Sequence, residues 1–180
     1  CKIVASEGLG LDVVSGGELY VAMNAGFDMS KVYLHGNNKT PEDLRMAVEA
    51  GVGRVVVDSM SEIGLLAGIA KEKGCVQPVL VRVKPGIEAH THDYIKTGQE
   101  DSKFGFGIGD GQALQAIREI LRYDSLELVG LHCHIGSQIF EVEPFRETVD
   151  VMFDFMQDIK AQTGVEFREI DFSRGLSSAV

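Results

Sequence analysis

Short apolar, β-branched runs alternate with amphipathic ones along the chain, and this alternation constrains the fold more than any other feature of the sequence. Residues 9–14, 31–35, 54–57, 78–83, 127–135 and 167–172 read as strands, and the segments between them carry helical spacing. Strands joined by helix-length connections pair in parallel through right-handed crossovers. The fold class is therefore α/β, and both an open doubly wound sheet and part of a (β/α)8 barrel satisfy the pattern. Polar residues and glycines collect after several strand ends: Ser15-Gly16-Gly17, His35-Gly36-Asn37-Asn38, Lys84-Pro85-Gly86, His134-Ile135-Gly136-Ser137 and Ser173-Arg174-Gly175. A barrel builds its active site from the ends of many strands, whereas a doubly wound sheet uses one crevice, so the distribution favours the barrel.

Local signals place the helices. Glu18 to Ala25 puts Leu19, Ala22 and Met23 on one face. Thr40 followed by Pro41 and Asp43 has the form of an N-cap with proline in the first turn and an acidic residue three beyond the cap. Asp58 or Ser59 caps a helix that runs to Lys73, where Gly74 ends it. Asp110 caps a helix to Arg122, and 143–163 forms a long helix. Residues 84–103 show no period and far exceed the ~4–6 residues of an ordinary connection, which marks a functional or disordered segment.

With 180 residues, 44% of them hydrophobic, the chain has enough apolar material for one sizeable core. No run approaches the ~20 apolar residues of a membrane span, and no secretory signal opens the sequence, so a soluble protein is expected. Cys1, Cys75 and Cys133 are odd in number and widely spaced, which argues against a disulfide framework or zinc site and fits a cytoplasmic location. A net charge of -10 argues against a nucleic-acid footprint and favours small-molecule work.

Some motifs are weaker than they look. The stretch Gly105-Phe106-Gly107-Ile108-Gly109-Asp110-Gly111 has no register that yields G-x-G-x-x-G, and a long loop rather than a strand precedes it. His90-Thr91-His92-Asp93 offers metal-ligating groups without a third ligand fixed by a helix, and reads better as a polar lid. His132 and His134 carry more information. Strand side chains alternate, so both imidazoles share one face of the strand at 127–135, opposite Leu131, Cys133 and Ile135. They are either ligand-facing groups or hydrogen-bonded core histidines.

Four motifs together point to one family. They are Leu11-Asp12-Val13-Val14-Ser15-Gly16-Gly17-Glu18-Leu19, then His35-Gly36-Asn37-Asn38-Lys39, then Arg82-Val83-Lys84-Pro85-Gly86 through His90-Thr91-His92 to Thr97-Gly98-Gln99-Glu100-Asp101-Ser102-Lys103-Phe104-Gly105, and finally Leu131-His132-Cys133-His134-Ile135-Gly136-Ser137-Gln138. In this order, over residues 1 to 171, the chain closely resembles the diaminopimelate decarboxylases. The resemblance implies pyridoxal phosphate as cofactor, an alanine-racemase-like (β/α)8 barrel followed by a β domain, meso-diaminopimelate as substrate and a homodimer with active sites at the subunit interface.

Carried over by position, the resemblance has His134 stack on the pyridine ring, Ser137 lie near the cofactor phosphate and Asp12 stand at the cofactor edge. Gly175 matches the last of three glycines whose amides hold the phosphate. Ser173 and Arg174 stand where the other two glycines are expected, and 176–180 departs from the family pattern. The resemblance puts the cofactor-linking lysine before Cys1. It puts the glutamate that faces the pyridine nitrogen, and an interface cysteine, after Val180. The chain is thus expected to be a partial barrel of about six of eight βα units. It is expected to lack the β domain and to be inactive alone, with no catalytic or metal-ligating residue assigned within it. Related decarboxylases of ornithine, arginine or carboxynorspermidine, and a non-catalytic regulatory homologue, share the implied fold.

Overall fold

The computed structural model describes residues 1–86, 104–137 and 142–175. Its strands are β1 (Leu11–Val13), β2 (Val32–Leu34), β3 (Arg54–Val57), β4 (Gln77–Lys84), β5 (Phe106–Gly107), β6 (Leu126–Ser137) and β7 (Glu169–Gly175). Its helices are α1 (Lys2–Ser6), α2 (Gly16–Asn24), α3 (Pro41–Ala50), α4 (Met60–Glu72), α5 (Gln112–Ile120) and α6 (Glu143–Thr163). All pairings are parallel, in the order β1-β2-β3-β4-β6-β7, with β5 added beside β4. This is the sequential order of a barrel, without the reversal of a doubly wound sheet.

Contacts across the sheet show how strongly it curls. β2 and β7 lie four strand spacings apart along the sheet, about 19 Å if it were flat. Yet Tyr33 of β2 donates to Glu169 of β7 at 3.3 Å, and His35 Nε2 lies 3.9 Å from Asp171 Oδ2. Only a sheet bent toward closure brings these side chains together, and the result is a partial (β/α)8 barrel.

The convex face carries most of the core. Val32, Leu34, Val55, Val57, Val79, Val81, Leu131 and Cys133 are buried there with the helices. The longer helices meet them through one stripe each, such as Ala113, Ala116, Ile117 and Ile120 on α5, or Thr148, Met152, Phe155 and Ile159 on α6. A fully buried Leu or Val contributes roughly 1.5–3 kcal/mol relative to exposure, so this layer dominates stability. Among the described residues the concave face holds a small apolar cluster, Val56, Leu80 and Val129 with Tyr33 against it, beside polar groups.

Several local expectations hold in detail. Thr40 and Asp43 form a complete capping box on α3, Ser59 caps α4, and α6 spans 143–163. Others need correction. β1 is three residues long, α2 begins at Gly16 with Ser15 as its cap, and α1 forms where no helix was expected. Gly111 rather than Asp110 occupies the N-cap of α5, although Asp110 Oδ1 accepts from Gln112 N at 3.1 Å. β7 begins at Glu169 and continues through Ser173-Arg174-Gly175, because these residues go on pairing with β6.

The glycine-rich stretch contains β5, which the sequence did not reveal. Gly105 sits at φ +81°, and a Cβ there would lie 2.8 Å from the carbonyl of Arg82. Glycine is thus used to let β5 approach β4, a structural reason in place of a phosphate loop. The polar-lid reading of His90 and His92 lies outside the described residues.

Candidate active site

Strand parity sorts the concave face into levels. Tyr33 on β2 and His35 just after it face inward, as do Arg54 and Val56 on β3, His132 and His134 on β6, and Glu169 and Asp171 on β7. At the lower level, Arg54 Nε donates to both oxygens of Glu169 at 3.0 and 2.8 Å, and Tyr33 donates to the same carboxylate. The Arg54 guanidinium also lies 6.0 Å from the centroid of the Tyr33 ring. The Arg54 hydrogen bonds hold Glu169 below the usual carboxylate range, while burial, with the Glu169 charge, pushes Tyr33 up. This cluster is satisfied.

One level higher the pattern changes. His35 and His132 meet edge to face with ring centroids 4.8 Å apart, and His35 Nε2 lies 3.4 Å from Asp12 Oδ1. His132 is 2% exposed, and neither of its nitrogens has a hydrogen-bond partner among the described residues; the same holds for His35 Nε2. Burial pushes the His132 imidazole down to about 2, helped by the charges of His35, Arg82, His134 and Lys39, so it is neutral at physiological pH. Burial raises Asp171 above its ordinary value. The hydrogen-bonded core histidine considered from sequence is therefore not what His132 is.

At the C-terminal ends of the strands lies a third group. The Lys39 side chain is 1% exposed, and Nζ reaches Glu62 at 3.0 Å and the carbonyls of Gly36 and Val56 at 2.5 and 2.8 Å. Burial pushes Glu62 up to about 7 against the pull of Lys39. The pair ties the connection after β2 to the end of β3 and the start of α4. Asp58 Oδ1, buried at the end of β3, has no hydrogen-bond partner among the described residues.

The four residues assigned from the resemblance fall on this architecture as follows. Asp12 lies on the edge strand β1 beside His35, with a side-chain exposure of 58%. His134 follows His132 on the concave face and is half-buried. Ser137 and Gly175, far apart in sequence, are register partners at the ends of β6 and β7. Between His134 and Ser137 the register shifts, so that β6 uses one more residue than β7 to reach the same level. Such a bulge releases a peptide group from the ladder at the position where the two strands end.

This arrangement fits a cofactor with an aromatic ring and a phosphate. An imidazole stands on the concave face at the strand ends, next to the end of β6, where the bulge releases backbone that suits an anion. Sequence reasoning passed over His35, Asp171, Lys39 and Glu62 as site residues. Strand parity would have placed Asp171 inward once the register of β7 was known, but Lys39 and Glu62 meet only through the tertiary fold.

The chain matches the family described as pyridoxal-dependent decarboxylase, pyridoxal binding domain, over residues 1–180. It is 52% identical over 165 residues to the diaminopimelate decarboxylase of Halalkalibacterium halodurans, covering 92% of this chain and 38% of that protein. To the diaminopimelate decarboxylase of Bacillus subtilis it is 53% identical over 152 residues, covering 84% of this chain and 35% of the relative. The crystal structure of diaminopimelate decarboxylase from M. jannaschii in complex with L-lysine superposes with a TM-score of 0.90 at 38% identity, covering 97% of this chain and 40% of that one. The chain thus spans well under half the length of these relatives. Strand order, concave polar face and the family match over residues 1–180 agree, and the chain belongs to the pyridoxal-dependent decarboxylases, within their pyridoxal-binding domain.

Proposed function

We propose that this chain is the cofactor-binding barrel of a diaminopimelate decarboxylase, which removes CO2 from meso-diaminopimelate to leave L-lysine. The observation that carries the reading is identity of about half over nearly the whole chain to proteins of that name. The M. jannaschii relative, whose structure contains L-lysine, supports the product class. No helix among the described residues is long and apolar enough to cross a membrane. A cytoplasmic homodimer is part of the proposal.

When bound, pyridoxal phosphate supplies an electron sink for the pair of electrons left behind as CO2 departs. The residues of this chain hold and orient it. His134 would offer a flat face to the pyridine ring, and the backbone at Ser137 and Gly175 would offer amides to the phosphate. Asp12 contributes a negative charge at the rim of the concave face. Lys39 and Glu62 would keep the connection after β2 in place beside it.

Incubating the whole protein that contains this chain with pyridoxal phosphate and a panel of diamino acids tests the proposal. L-Lysine and CO2 should appear from meso-diaminopimelate, with much slower turnover of ornithine, arginine or carboxynorspermidine. Preferred turnover of one of the latter would reject the substrate assignment. The 180-residue chain alone should form no borohydride-reducible adduct at a specific lysine.

A further inference from the structure

We infer that Lys39 is a positioning residue for the cofactor end of the barrel: its buried ammonium bridges β2 and β3 beyond their last paired residues and so fixes the strand ends that carry Asp12 and His35. The inference rests on the cofactor-binding reading above and adds to it a residue that acts through the backbone.

The register creates the need for a bridge. β2 and β3 pair up to Leu34 and Val55, whereas β3 goes on pairing with β4 to Val57. β2 stays with β1 one step further, since His35 N donates to Val13 O at 2.7 Å. The ends of β1 and β2 therefore part from β3 as a unit, on the C-terminal side where a barrel places its site.

Lys39 spans that parting. Its Nζ donates to Gly36 O at 2.5 Å on the β2 side and to Val56 O at 2.8 Å, one residue past the last β3 pair. It also lies 3.0 Å from Glu62 in the first turn of α4. An ammonium radiates three N–H donors from one point, so one side chain can hold three chain segments. The Lys39 side chain is 1% exposed, and a buried cation is stable only with its partners around it, which makes the bridge stiff where a surface ion pair is loose. Gly36 is gripped from the other side as well. It sits at φ +105°, and a Cβ there would lie 2.9 Å from the carbonyl of Val14. The backbone after β2 is thus held between the end of β1 and Lys39. This grip sets where His35 meets Asp12, 3.4 Å from Nε2 to Oδ1, and Asp12 is the residue assigned to the cofactor edge.

The test uses the whole protein that contains this chain. Lys39→Met with Glu62→Leu removes both buried charges together, which keeps the fold while abolishing the bridge. Its apo form should bind pyridoxal phosphate about tenfold more weakly than the parent, followed by the cofactor's absorbance, at an unchanged melting temperature. Without cofactor, the amides of Val14 and His35 should exchange hydrogen about tenfold faster, and those of α5 and α6 at the parent rate. Lys39→Arg keeps the ion pair but spreads its donors over a plane, so a smaller loss of about threefold is expected. Arg45→Met with Glu72→Leu removes the surface pair between α3 and α4 and should change neither readout. Parent affinity and parent exchange in the Lys39/Glu62 double variant or, where that variant does not fold, in Lys39→Arg, would overturn the inference. So would equal changes in the Arg45/Glu72 control. A parent protein that binds no pyridoxal phosphate would reject the cofactor reading instead, because the exchange rates at Val14 and His35 are measured without it.

Discussion

Two polar clusters occupy the same concave face one level apart, and they are finished differently. At the lower level every charge has its partner: Arg54 is bidentate to Glu169, and Tyr33 completes the carboxylate. At the upper level His35 and His132 touch each other, yet His132 makes no hydrogen bond among the described residues. Buried polar groups are ordinarily satisfied because an unpaired one costs about 1–3 kcal/mol. The lower cluster therefore belongs to the architecture, tying β2 and β3 to β7 across the barrel. The upper one leaves buried imidazole nitrogens without a hydrogen-bond partner among the described residues.

The comparison breaks most severely at Gly130. A Cβ there would lie 2.0 Å from the carbonyl oxygen of Glu169, a backbone atom of the neighbouring strand that cannot swing aside. Gly130→Ala should force β6 from β7, pull Glu169 away from Arg54 and cost about 3 kcal/mol or more, read by urea denaturation. A cost below that of an ordinary surface substitution would mean that β7 adjusts freely and does not anchor the lower cluster.

Removing one partner from the lower cluster should come next. Arg54→Met leaves Glu169 and Tyr33 without their cation and should destabilise the chain by about 2 kcal/mol, within the range for charge-assisted hydrogen bonds. Pairing it with Glu169→Gln should recover part of that loss, since the uncompensated charge is then gone. No recovery in the double variant would show that packing rather than charge is what Arg54 supplies.

Acid titration sharpens the contrast with the upper cluster. The His132 imidazole is held neutral down to about 2 in the folded chain, whereas in the unfolded chain it takes up a proton near 6.5. Its contribution is therefore present above 6.5 and lost as pH falls below it, by about 2 kcal/mol at pH 5. Glu62 runs the other way. Its folded value, about 7 against 4.5, favours the folded state at low pH and is lost as pH rises through 7. Comparing the parent with His132→Gln at each pH cancels the Glu62 contribution, and the variant should lose less stability between pH 7 and 5. Parallel curves would show that His132 is protonated while folded.

How much was legible beforehand depended on the range of the interaction involved. The capping box at Thr40 and Asp43 and the bounds of α6 involve residues close in sequence, where composition acts directly on the backbone. The extension of β7 and the presence of β5 depend on partners many residues away, so neither had a local signal. Among candidate site residues, parity on one strand was enough to put His132 and His134 on the same face. The pairing of Ser137 with Gly175 needed the register of two strands.

By itself, the sequence determined the alternation of strand and helix, the parallel connections and the shared strand face of two histidines, because these rest on periodicity and on connection length. The closeness of Tyr33 to Glu169, the burial of Lys39 against Glu62 and the meeting of His35 with His132 and Asp171 were decided only by the curled sheet. These contacts join residues on strands or connections distant in the chain. Their distances are set by how far the sheet closes, a property of all the strands together and of no single segment.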